Sequence, residues 1–135
     1  MEVLSWNQEL VLGNPAMDSA HRFLYGALQR LADAPPQRFA AAYHACVAAL
    51  ERDFRREEQM MERMEYPGLL CHREQHARAL SALHHAAAAL AEGDPRPARR
   101  SIELLGEWLH VHITTLDQAL AAAWVLSRHG KVPLP

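Results

Sequence analysis

The sequence predicts an all-α protein, an up-down-up-down antiparallel four-helix bundle with an irregular N-terminal arm, and three observations carry that expectation. Breakers cut the chain at Asn14-Pro15, Pro35-Pro36, Tyr66-Pro67-Gly68, Gly93-Asp94-Pro95-Arg96-Pro97 and Gly130. The four segments between them are rich in Ala, Leu, Glu, Arg and Gln, poor in β-branched residues, and too long for strands. Each also carries an apolar stripe at alternating three- and four-residue spacing, the mark of a helix that buries one face. Short connections between such helices make neighbours antiparallel.

The elements follow in order. Residues 1–14 form the arm, with Val3, Leu4, Trp6 and Leu10 expected to pack across the bundle. A first helix over roughly 17–33 carries the stripe Met17, His21, Leu24, Leu28 and Leu31. A second, over roughly 37–65, carries Phe39, Tyr43, Cys46, Leu50, Asp53, Glu57, Met60 and Met64, flanked by Val47 and Phe54. The third, roughly 69–92, runs Leu69, His72, His76, Leu80, Leu83, Ala87 and Leu90. The fourth, roughly 97–128, runs Leu105, Leu109, His112, Leu116, Leu120 and Ala123, with Asp117 on its border. The tail, 130–135, carries no readable signal.

Composition excludes several function classes. With 135 residues, 50% of them hydrophobic, the chain suits a single domain over 1–135 with its own core. A formal net charge of −2, from 14 basic and 16 acidic residues, offers no footprint for nucleic acid or an anionic membrane. The N-terminus lacks the charged and apolar regions of a signal peptide, and the longest apolar run, Ala119 to Leu126, falls short of a membrane span. Cys46 and Cys71 lack metal or disulfide spacing and read as reduced thiols. These features predict a cytoplasmic protein, and a monomer is the simplest state.

What stands out is the polar interruption of the stripes. His21, Asp53, Glu57, His72, His76, His112 and Asp117 fall on or beside faces that the rest of the pattern buries. Three buried carboxylates without compensating positive charge are prohibitive, and no Lys or Arg sits on these stripes. A bound metal is the natural counter-charge, because His and carboxylate donors from facing helices are what bundle-core iron and manganese sites use. Spacing supports pairs: His72/His76 and Asp53/Glu57 are each four apart, on one helical face. His112 and Asp117, five apart, fit less well, being roughly 140° apart around an α-helix. His110 is nearly in line with Asp117 but lies off the stripe, so His112 is preferred. The sequence His72-Arg-Glu-Gln-His76 is not a zinc-protease HExxH, since Glu74 stands about 100° from the place of the general base.

Taken together these residues resemble the hemerythrins, specifically the single-domain bacterial ones. The resemblance covers nearly the whole chain: Trp6 and Gly13; Met17-Asp18-Ser19-Ala20-His21 with Leu24; Phe54 and Glu57-Glu58 with Met61; Tyr66-Pro67; His72 and His76; and Trp108-Leu109, His112-Ile113 and Asp117. It implies two non-haem irons with a bridging oxo or hydroxo group, and dioxygen or a related diatomic as ligand. By the resemblance His72, His76 and His112 hold one iron, and His21 with residue 53 the other. Glu57 and Asp117 bridge, and Trp108, Leu109 and Leu24 help line a dry pocket. The chain departs from the family at Asp53, where the pattern has His. His44 cannot substitute, being roughly 13 Å away along the helix. An anion in place of an imidazole favours the ferric state and faster autoxidation. Asp53 either ligates directly or, being short, holds a water and leaves the second iron weakly bound.

Three functions follow. The first is a protein that binds dioxygen, shifted from simple oxygen transport toward oxygen or redox sensing, with an unidentified signalling or redox partner. The second is a di-iron oxidase, peroxidase-like or iron-handling enzyme. The third is a metal-depleted bundle kept for interaction. His44, His84, His85, His110 and His129 read as surface histidines, and Glu58, Arg52, Arg55 and Arg56 as a solvated face.

Overall fold

The computed structural model describes residues 5–127. Val3 and Leu4 of the arm, His129, the end of the fourth helix at 128 and the tail 130–135 lie outside the described residues. A short 3-10 turn, Gln8–Leu10, is followed by α1 (Pro15–Asp33), α2 (Pro36–Met64), α3 (Leu69–Ala91) and α4 (Arg96–His112). A π turn, Ile113–Asp117, joins α4 to α5 (Gln118–Leu126), so the fourth rod of the bundle is one helix interrupted by a wider turn. In chain order α1 packs on α2, α2 on α3 and α3 on α4. The architecture is the all-α helical bundle expected.

Local chemistry sets the boundaries. Asn14-Pro15, read as a breaker, is the start signal of α1: the Asn14 side chain accepts from the Met17 N–H, and Pro15 takes the first turn, where no amide donor is needed. At the far end of α2, Glu65 adopts the left-handed conformation (φ 53°) and the Tyr66 N–H reaches back to the Met61 carbonyl at 2.9 Å. Asp18, buried in the first turn of α1, accepts from the backbone N–H groups of Leu12 (2.8 Å) and Gly13 (3.1 Å). That carboxylate latches the arm onto α1 one helical turn before His21. Trp6 stands edge-on to Tyr25 (6.0 Å), and Leu10 is fully buried, so these two arm residues pack on the bundle as expected.

The core has two compartments. The larger includes Leu24, Leu28, Leu31, Phe39, Leu50 and Ile102, and the Tyr43 hydroxyl inside it donates to the Leu83 carbonyl at 2.6 Å. The smaller holds Met17, Met60, Met61, Leu120 and Ala121. One stripe needs correction: Leu116 is half-buried while Asp117 is buried. The π turn puts one extra residue between the buried positions, and Asp117 takes the inward place that an unbroken α-helix would give Leu116.

Candidate metal centre

All of the polar residues singled out on the stripes are buried together. His21, Asp53, Glu57, His72, His76, His112 and Asp117 are each no more than 3% exposed. α1 supplies His21; α2 supplies Asp53 and Glu57; α3 supplies His72 and His76; α4 and the π turn supply His112 and Asp117. His110, the alternative to His112, is half-exposed and faces Glu9 at 3.9 Å.

Two carboxylates organise the site. Oε1 of Glu57 lies 3.3 Å from His72 Nε2 and 3.1 Å from His76 Nε2, while its Oε2 lies 3.2 Å from His21 Nε2. Asp117 divides its oxygens in the same sense: Oδ1 is 3.0 Å from His72 Nε2 and 3.2 Å from His112 Nε2, and Oδ2 is 3.1 Å from His21 Nε2. The donors thus form two groups, Glu57 with His72, His76, His112 and Asp117, and Glu57 with His21 and Asp53. Asp53 Oδ2 stands farther out, 3.7 Å from His21 Nε2.

The five-residue step from His112 to Asp117, awkward in α-geometry, is taken by the π turn. The Gln118 N–H bonds to the Ile113 carbonyl five residues back, which widens the turn. Thr114 Oγ1 donates to the His110 carbonyl (2.8 Å), and Thr115 Oγ1 donates to the Val111 carbonyl, serving backbone acceptors where the α-helical pattern breaks.

Neighbours hold the imidazoles in place. Phe54 stacks on His76 at 3.8 Å with planes 3° apart, and Trp108 stacks on His112 at 4.5 Å and 12°. Trp108 therefore lies on the three-histidine side of the site and not beside Asp53. Leu24 and Leu109 are buried in the larger core compartment. Glu58, which the sequence suggests is solvated, is half-buried with its Oε2 2.8 Å from His76 Nδ1. Arg73, 3.7 Å from Glu58 and 3.3 Å from Glu62, continues that contact to the surface. The sequence signal for Glu58 was no more than its place next to Glu57. His84 pairs with Glu51 at the surface, and His44 sits on the exposed side of α2.

The donor chemistry fits a cation. With the His76 Nδ1–H donated to Glu58, His76 Nε2 presents a lone pair, yet it faces His112 Nε2 at 3.2 Å. Asp53 Oδ2, Glu57 Oε1, His72 Nε2 and both Asp117 oxygens are buried without a hydrogen-bond partner. Leaving so many buried polar atoms unsatisfied is costly, and metal coordination would supply the missing partner. Without a metal the site must settle its charge with protons. Burial opposes a charge on His21, but the oxygens of Asp117, Glu57 and Asp53 outweigh it and push the pKa up to about 10. His72 goes up to about 9, burial again being overcome by Asp117 and Glu57. Asp53 is raised well above the carboxylate range by burial and the charge of Glu57. Asp117 is held well below that range, burial being overcome by contacts with His112, His21 and His72.

The comparisons with known proteins agree with this geometry. The family model for the hemerythrin HHE cation binding domain matches residues 12–124. A bacteriohemerythrin of Ralstonia nicotianae is 32% identical over 128 residues, covering 95% of this chain and 93% of that protein. With a family match over most of its length and that degree of identity, the chain belongs to the hemerythrin family.

Proposed function

We propose that the chain holds two non-haem irons bridged by Glu57, Asp117 and an oxo or hydroxo group, and that it binds dioxygen or a related diatomic. In this reading His72, His76 and His112 hold one iron, and His21 and Asp53 the other. The observation that carries it is the division of the Glu57 and Asp117 oxygens between two donor groups. Such a set supplies, when loaded, reversible redox chemistry and a place for a small diatomic.

The chain's own residues set the conditions for that chemistry. Glu58 holds the His76 ring and makes it a stronger donor. Phe54 and Trp108 lie flat against His76 and His112 and fix their planes. Leu24 and Leu109 keep the adjoining space apolar. Asp53 adds a third carboxylate charge where the family pattern has a neutral imidazole, which favours the ferric state. That charge turns the reading from oxygen transport toward oxygen or redox sensing, in a cytoplasmic, monomeric, single-domain protein that reports to a signalling or redox partner.

The same third carboxylate favours a second reading, an oxidase or peroxidase-like activity. The two differ in turnover: a sensor completes one stoichiometric cycle per site, whereas an enzyme consumes oxygen or peroxide continuously. The deciding experiment for the metal pair is iron per chain in protein expressed in iron-replete medium and purified without chelator. Close to two supports the pair with Asp53 in it. One or less overturns the second site and the dioxygen reading with it.

A further inference from the structure

The centre is walled unequally. On the three-histidine side the rings of Phe54 and Trp108 lie against the imidazoles. On the Asp53 side two surface clefts, of about 310 Å³ and 230 Å³, are both lined by Asp53 and Arg56. The first also takes in Ser19 of α1 and Arg52; the second takes in Glu57, Arg63 and Trp124. Either volume has room for several water-sized molecules.

Asp53 links these clefts to the interior. It is 3% exposed, and its Oδ2 is buried without a hydrogen-bond partner. The rim is cationic: Arg52, Arg56 and Arg63 are exposed, and among the described residues none forms an ion pair within 4 Å. Among the described residues, the acidic ones lining either cleft are Asp53 and Glu57, both of which belong to the centre itself. Two like charges at each concave mouth, Arg56 being common to both, focus the field into it and concentrate small anions there, against the slight negative charge of the whole chain.

We propose that the two clefts meeting at Asp53 admit small inorganic anions to the centre, gathered at the rim by Arg52, Arg56 and Arg63. The inference rests on the reading that the centre holds a metal pair, and its test is arranged so that the two fail separately. Arg52 and Arg56 lie on the exposed face of α2, where Gln keeps helix propensity and removes the charge.

One arm uses iron-loaded protein with azide as the probe. In the Arg52→Gln/Arg56→Gln variant the azide association rate is expected to fall about tenfold at low salt, and the difference to shrink below about twofold near 0.5 M salt. The Arg52→Lys/Arg56→Lys variant keeps the charge and is expected to restore most of the rate. Equal rates in parent and Gln variant, or a difference that persists at high salt, overturn the proposal. The other arm uses metal-free protein in a Trp6→Phe/Trp108→Phe background, which leaves Trp124 as the fluorophore. Iodide quenching is expected to fall about threefold on the double Arg→Gln change, with acrylamide quenching unchanged. Iodide quenching that is unaltered, or that changes in step with acrylamide, overturns the proposal. A chain without iron sinks the metal reading alone, and the iodide arm then decides the clefts.

Discussion

His112 and Asp117 stand five residues apart and still bring Nε2 and Oδ1 within 3.2 Å, because the intervening chain is wound as a π turn. Insertion of one alanine after Thr115 adds a further residue to that turn and swings Asp117 by about 100°. The lengthened chain is expected to lose the Asp117 carboxylate from the centre and to purify with markedly less iron per chain, read by metal analysis. Its helix content, read by circular dichroism, is expected to stay near that of the parent.

Asp53→His restores the imidazole of the family pattern and removes one negative charge from the centre. Air oxidation of the reduced, iron-loaded variant is expected to slow by about tenfold or more, followed by its visible absorption. An unchanged rate places Asp53 outside the electrostatics of the centre.

Proton release is expected when metal enters. At pH 7 the metal-free protein carries protons on His21 (pKa about 10) and His72 (about 9). Both must leave before the nitrogens can ligate. Apparent metal affinity therefore rises with pH up to about 10. The sign for the metal-free fold is opposite. Raised histidine pKa values give stability that is fully present below the unfolded value near 6.5 and lost as pH climbs through about 9 to 10. Calorimetric titration in buffers of different ionisation enthalpy counts the protons, and urea unfolding of metal-free protein at pH 6 and pH 10 checks the direction.

Glu58→Ala removes the acceptor that holds His76 Nδ1. Metal affinity is expected to weaken by about 10–100-fold, measured by competition with a chelator. The same change at Glu74, an exposed residue paired with Arg78 and outside the cluster of donors, is expected to leave affinity unchanged.

Much of this was legible in the sequence, for a physical reason. A charge on an apolar stripe is conspicuous because its burial is so expensive, so His21, Glu57, His72 and His76 announced a shared interior site. Proline and glycine marked the helix ends, although Asn14-Pro15 reads as an interruption until the Asn14 cap is seen. The π turn was not legible, since no side-chain pattern distinguishes it and α-periodicity assigns the inward place to Leu116. Glu58 and Arg56 were obscured by their setting: a run of charged residues on α2 looks uniformly solvated, and only the neighbouring helices show which ones face His76 or the mouth beside Asp53.

The split core has a consequence for local opening. Leu12 touches both apolar compartments, but otherwise the charged layer at His21, Glu57, His72 and Asp117 stands between the Met60–Leu120 end and the larger end around Leu28 and Phe39. Apolar contacts alone couple the two ends weakly, and the smaller end has the lower cost of opening. What fills the layer between them thus governs cooperativity. Loaded, the bundle is expected to unfold as one unit; empty, its Met-lined end is expected to fray ahead of the rest.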